Sequence, residues 1–74
     1  MMMKIRVKAS GKIYLYPPTK IEFCPYQGGI EIRIPEYGDR FWIEHQHPEL
    51  VMGRLLRRLL EDELRVDEEI SSPG

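Results

Sequence analysis

Between Pro48 and Val66 the chain reads PELVMGRLLRRLLEDELRV, and no other stretch narrows its folding options so sharply. Met52, Leu55, Leu56, Leu59, Leu60 and Leu64 recur at steps of three and four, with Arg54, Arg57, Arg58, Glu61, Asp62 and Arg65 between them. That is the period of a helix with one apolar face. Pro48 suits the first helical position, where a missing N–H costs nothing, and Glu49 follows at the positive end of the helix dipole. Such a stripe needs a surface to cover, and the residues before it supply alternating patterns that predict one.

Met3, Ile5, Val7 and Ala9 alternate with Lys4, Arg6 and Lys8, which predicts a half-buried strand. Ser10-Gly11-Lys12 turns the chain, and Ile13-Tyr14-Leu15-Tyr16 runs back. A two-residue turn at Ser10-Gly11 would set Val7 opposite Tyr14 and leave Ile13 and Leu15 among the lysines. A three-residue turn sets Ala9 opposite Ile13 and Val7 opposite Leu15, keeping one face apolar. Register follows the buried face, so the three-residue turn is expected, with Gly11 at positive φ. Pro17-Pro18 ends that strand, because neither residue can donate to a ladder. Ile21 and Phe23 then alternate with Lys20, Glu22 and Cys24. Pro25-Tyr26-Gln27-Gly28 fits a four-residue turn that places Phe23 opposite Ile30 and Ile21 opposite Ile32. Pro35 to Asp39 is the next break, Arg40 to Glu44 the next strand, and His45-Gln46-His47 leads into the helix.

The expected fold is therefore α+β: an antiparallel sheet or SH3-like half-barrel of about five short strands followed by one C-terminal amphipathic helix. Residues 1–66 would form this single domain, with 67–74 as a polar, acidic, disordered tail. In element order this resembles the small archaeal chromatin proteins, without their strongly basic composition. Ser10-Gly11-Lys12-Ile13-Tyr14-Leu15 is similar to the opening of the swapped-hairpin antitoxins, but their proline should directly follow the leucine and here Tyr16 intervenes. Neither family is assigned.

Seventy-four residues bury a modest core, and Cys24 is the only cysteine, so no disulfide staples it. One unpaired thiol and no signal peptide point to a reducing cytoplasm. No apolar run approaches the ~20 residues that span a bilayer, so no membrane association is expected. The net charge of −1 hides a polarity. Lys4, Arg6, Lys8, Lys12 and Lys20 precede the first acid, whereas Glu61, Asp62, Glu63, Asp67, Glu68 and Glu69 face only Arg65 near the other end.

Little in this chain suggests chemistry. His45 and His47 point the same way in an extended segment, and Cys24, Glu44 or Glu49 would have to complete a metal site. Zinc wants four close ligands, so neither metal nor cofactor is expected. Cys24 with a histidine, oriented by Glu44, is the minimum for a thiol nucleophile, yet no activating context is visible and no catalytic residue is assigned. The sheet face opposite the core would display Lys4, Arg6, Lys8, Tyr14, Tyr16, Arg33, Arg40 and Trp42, interrupted by Glu22, Glu31 and Glu44. Exposed Tyr, Trp and Arg are enriched at protein interfaces. The expected function is a small non-enzymatic interaction module, a cytoplasmic regulator or inhibitor binding a protein partner through Tyr14, Tyr16, Arg33, Arg40 and Trp42. The alternative is nucleic-acid binding through Lys4, Arg6, Lys8, Lys12, Tyr14 and Tyr16. The helix charges run against its dipole, with Arg54, Arg57 and Arg58 early and Glu61 and Asp62 late, so two antiparallel helices would complement each other in a homodimer.

Overall fold

A computed structural model describes residues 2–50, 53, 54, 57 and 63–70. Among these residues seven strands run in order as β1 (Met3–Val7), β2 (Ile13–Tyr16), β3 (Glu22–Tyr26), β4 (Gly29–Ile34), β5 (Asp39–Glu44), β6 (Glu63–Val66) and β7 (Glu68–Glu69). They form a three-stranded sheet in the order β2-β1-β6 and a four-stranded sheet in the order β3-β4-β5-β7. Residues 48–50, 53, 54 and 57 are helical. The expected sheet of about five strands closed by a C-terminal helix is thus overturned: the fold is mostly β, and two strands follow the helical residues. Met52, Leu55, Leu56, Arg58, Leu59, Leu60, Glu61 and Asp62, which carry most of the expected stripe and part of the dimer contact, lie outside the described residues. Arg54 and Arg57 are helical and exposed.

Leu64 and Arg65, expected to continue the helix, lie in β6 instead. Glu63-Leu64-Arg65-Val66 alternates polar with apolar, a two-residue period that suits a strand, and β6 pairs with β1 in parallel, Ile5 against Leu64 and Val7 against Val66. The expected tail also begins with order. Glu68–Glu69 pairs with β5, and Ile70 N–H donates to the Arg40 carbonyl at 2.8 Å. Between β6 and β7 the chain changes sheets at Asp67. Its N–H donates to the Trp42 carbonyl at 3.0 Å, and its carboxylate accepts from the Glu44 N–H at 2.7 Å and from Lys8 Nζ at 3.3 Å. One residue thereby ties the chain just after β1 to β5.

The two hairpins depart from their expected registers in different ways. At the β3–β4 turn Gln27 and Gly28 have φ of 43° and 74°, the two-residue geometry that matches strand twist. Phe23 then faces Ile32 rather than Ile30, a slip of two residues that leaves every side chain on its expected side. In the first hairpin the Val7 N–H donates to the Lys12 carbonyl and the Gly11 N–H to the Val7 carbonyl, closing a longer loop with Gly11 at φ 77°. Ile5 lies opposite Tyr14 and Met3 opposite Tyr16, a shift by an odd number of residues that turns β2 over. Ile13 and Leu15, expected inside, face solvent at 46% and 54% exposure, while Tyr16 is buried at 2%. The core comprises Met3, Ile5, Val7, Tyr16, Ile30, Ile32, Ile34, Phe41, Leu64 and Val66, with Tyr14, Ile21, Phe23 and Ile43 packed against it.

Candidate functional site

Tyr14 and Tyr16, expected to be recognition residues, reach from one sheet to the other. Their ring centroids lie 5.2 Å and 6.1 Å from that of Phe41, and Tyr37 meets Tyr16 edge-on at 5.2 Å. Tyr16 Oη donates to Asp39 Oδ2 at 2.7 Å, and Tyr14 Oη donates to the Glu69 carboxylate at 2.8 Å. Aromatic area and a satisfied hydroxyl together explain why the tyrosines, not Ile13 and Leu15, face inward. Burial first, then the bond to Asp39, push the Tyr16 phenol far above its ordinary value. The bond to Glu69, then burial, raises Tyr14. Both are structural groups, so the expected docking surface loses its two tyrosines.

What the inversion leaves outside is an apolar and cationic face on the three-stranded sheet. Met2, Ile13 and Leu15 are exposed there beside Lys4, Arg6 and Arg65. Glu63 is the acid of this face, accepting from Arg6 Nε at 2.9 Å and from Arg65 Nε at 3.2 Å. The Arg6 hydrogen bond holds its carboxyl below the usual range. Among the described residues β2 is an edge strand, and its register decides which backbone groups β1 leaves unused. The bond from Val7 to Lys12 turns the Lys12 carbonyl toward β1, and hydrogen-bonding direction alternates along a strand. Tyr14 and Tyr16 therefore bond to β1, while the N–H and C=O of Ile13 and Leu15 point away from it.

The outer face of the four-stranded sheet is different. Glu31 is buried at 3% exposure although it faces outward, because Arg33 Nε donates to it and Arg40 Nη1 lies 3.9 Å away. Arg33 and Arg40, expected at the partner contact, are thus drawn to a carboxylate of their own sheet. Trp42 does lie on this face, half-buried, with its indole N–H donating to the Tyr26 carbonyl at 3.3 Å. Tyr26, Gln27, Trp42, Glu68 and Ile70 line a depression of about 420 Å³.

The structure does not gather the nucleic-acid set onto one surface. Lys4 and Arg6 share the first face, Lys8 is 3.3 Å from Asp67, Lys12 follows the turn, and the two tyrosines point inward. His45 Nδ1 accepts from the His47 N–H at 3.0 Å, so this pair shapes the entry to the helical residues. Among the described residues no three His, Cys, Asp or Glu side chains are grouped to hold a metal ion, and Cys24 is unpaired. No helix among them is long and apolar enough to cross a membrane. Sequence reasoning missed Ile13, Leu15, Asp67 and Glu69. The one available signal was that Ile-Tyr-Leu-Tyr offers two apolar faces of nearly equal merit. Comparison of the chain with protein-family models, with curated proteins and with solved structures found no match.

Proposed function

We propose that this chain is a small non-enzymatic interaction module whose β2 edge receives an extended segment of a protein partner. The observation that supports this reading is the pair Ile13 and Leu15, half-exposed on an edge strand whose own residues carry no charge. Unprotected apolar edges invite strand addition, and natural proteins usually blunt them with charge on the edge itself. A segment laid beside β2 would pair with the outward N–H and C=O of Ile13 and Leu15. Its apolar side chains on the outer face would cover them at about 1 kcal/mol per half-exposed residue, on ~25 cal/mol per Å². Lys12 before β2 and Lys4 and Arg6 on the neighbouring β1 complement acidic residues in the incoming segment. A reducing, cytoplasmic setting suits the unpaired Cys24 and belongs to the same proposal.

The experiment compares the protein with an Ile13→Lys, Leu15→Lys double variant of matched thermal stability, using partner captured from the host at low and high salt with and without nuclease. The expected result is nuclease-resistant binding that the double variant loses. In the complex, amide exchange should slow at Ile13 and Leu15, while Tyr14, already bonded to β1, reports only the fold. Binding that survives the double variant, or unaltered exchange at Ile13 and Leu15, overturns the edge proposal. Capture that vanishes with nuclease and falls steeply with salt favours nucleic acid instead.

A further inference from the structure

We infer that the depression around Trp42 is a binding site for an organic cation, an alkylammonium head group held over aromatic rings. It lies on the other sheet from the β2 edge and does not depend on that proposal.

The geometry of Trp42 is set by its neighbours. β5 pairs with β4 so that Gly29 lies opposite Glu44, two residues beyond Trp42 and its partner Glu31 and on the same face of the sheet. A Cβ on Gly29 would come within 2.7 Å of indole Cε2 and Cζ2, so the ring rests against a position where only glycine leaves room. The indole N–H is already used by the Tyr26 carbonyl. With its donor occupied and its Cε2 and Cζ2 atoms close over Gly29, the indole has no group left for an anion and offers π surface.

The other lining residues add to that bias. Tyr26, an exposed second ring, comes from β3, and Glu68 is paired directly with Trp42 across the β5–β7 ladder. In the strand order β3-β4-β5-β7, Trp42 thus sits between a tyrosine and a carboxylate. Gln27 contributes a neutral amide and Ile70 an aliphatic flank. Among the described residues no lysine or arginine lines the depression, and Glu68 has no ion pair. Arg40, the cation nearest in sequence to Trp42, is drawn to Glu31. The indole of Trp42, the exposed Tyr26 beside it and a carboxylate unpaired among the described residues, around about 420 Å³, favour a weakly hydrated cation over a neutral or anionic guest. A trimethylammonium head, free or carried on a methylated lysine, fits that description better than a primary ammonium or a small metal ion, whose water shells aromatic rings cannot replace.

Trp42 is the only tryptophan, so its fluorescence reads the site directly. The full chain is titrated at constant ionic strength with tetramethylammonium chloride, with a peptide carrying one trimethyllysine, with sodium chloride, and with the neutral isostere 3,3-dimethylbutanol. The expected result is a saturable change with the first two and none with the others. Tighter binding of the peptide identifies a protein side chain as the source of the cation, and equal binding a free small cation. Glu68→Gln should weaken binding roughly fivefold, the loss of about 1 kcal/mol of charge attraction. Tyr26→Leu, on an exposed ring of an edge strand, should weaken it by a similar factor and carries the test if Glu68→Gln disturbs β7. An equal response to the neutral isostere, no saturation, or wild-type affinity in both folded variants overturns the inference.

Discussion

In β4 the alternation sets Ile30, Ile32 and Ile34 against Gly29, Glu31 and Arg33, whereas in β2 it sets Ile13 and Leu15 against Tyr14 and Tyr16. The first contrast leaves one choice of inner face, and a slip of two residues at the Gln27-Gly28 turn does not disturb it. In the second contrast both faces are apolar, so the partners each face finds elsewhere decide the matter. Tyrosine wins because Asp39 and Glu69 of the opposite sheet receive its hydroxyls and Phe41 receives its rings. A periodic pattern gives the period of a strand, and only an asymmetry in chemistry gives its phase.

Truncating the two faces of β2 in turn is the sharpest way to break this contrast. Tyr16→Ala removes a buried ring and should cost about 3–5 kcal/mol, the range for aromatic truncation in a core. For a chain of this size that is a large part of its whole stability, so urea unfolding should find the variant largely unfolded in water. Leu15→Ala, one residue away and half-exposed, should change stability by no more than about 0.5 kcal/mol. Equal losses at the two positions would restore the opposite phase, with leucine inside.

A gentler change separates the ring from its hydroxyl. Tyr16→Phe keeps the packing with Phe41 and Tyr37 but frees Asp39, and should cost about 1 kcal/mol at neutral pH. The Tyr16 phenol is raised above its unfolded value of 10.0. Its stabilisation is therefore complete below pH 10.0 and is lost as pH climbs toward the folded value, because the unfolded chain ionises first. Tyr14, raised by Glu69, acts in the same direction. In an alkaline titration the phenolate absorbance of these two should appear together with loss of the near-ultraviolet dichroism. Early ionisation of all four tyrosines in a folded chain would place Tyr14 and Tyr16 in water.

The same reasoning shows where residue order was informative. The inner faces of β1 and β4 were legible because each opposes aliphatic residues to charge or glycine, as in Met3-Lys4-Ile5-Arg6-Val7. Trp42 was legible as an outward residue only by parity, since it alternates with Phe41 and Ile43 and shares its side with Arg40 and Glu44. β6 was not. Leu64 lies four residues after Leu60 and so fits the helical stripe, and it lies two before Val66 and so fits a strand. What decides is β1, nearly the whole chain away, whose free edge β6 completes in parallel. Asp67 was invisible for a similar reason: its value lies in three bonds to Trp42, Glu44 and Lys8, none of them local. Function was the least legible part, since the candidate surfaces depend on which way β2 faces and on how Trp42 lies against Gly29.

Glu63 offers the smallest effect and the most direct check that β6 lies beside β1. Its carboxylate accepts from Arg6, 57 residues earlier, and from Arg65 two residues on. The Arg6 bond holds its pKa below the ordinary value of 4.5. A depressed carboxyl stabilises the fold above its unfolded pKa, and that stabilisation is lost as pH falls through the folded value. The stability difference between the wild type and Glu63→Gln should therefore be constant from neutral pH down to about 4.5 and shrink in more acid solution. It should also shrink with added salt, since Arg6 and Arg65 remain partly in water and such pairs are screened. Arg6→Gln should abolish most of the pH dependence, because Arg6 is the leading cause of the shift. If 63–66 were instead a last helical turn remote from β1, Arg6→Gln would leave the Glu63 titration untouched. A difference that persisted undiminished into acid would mean that Glu63 matters for its packing and not for its charge.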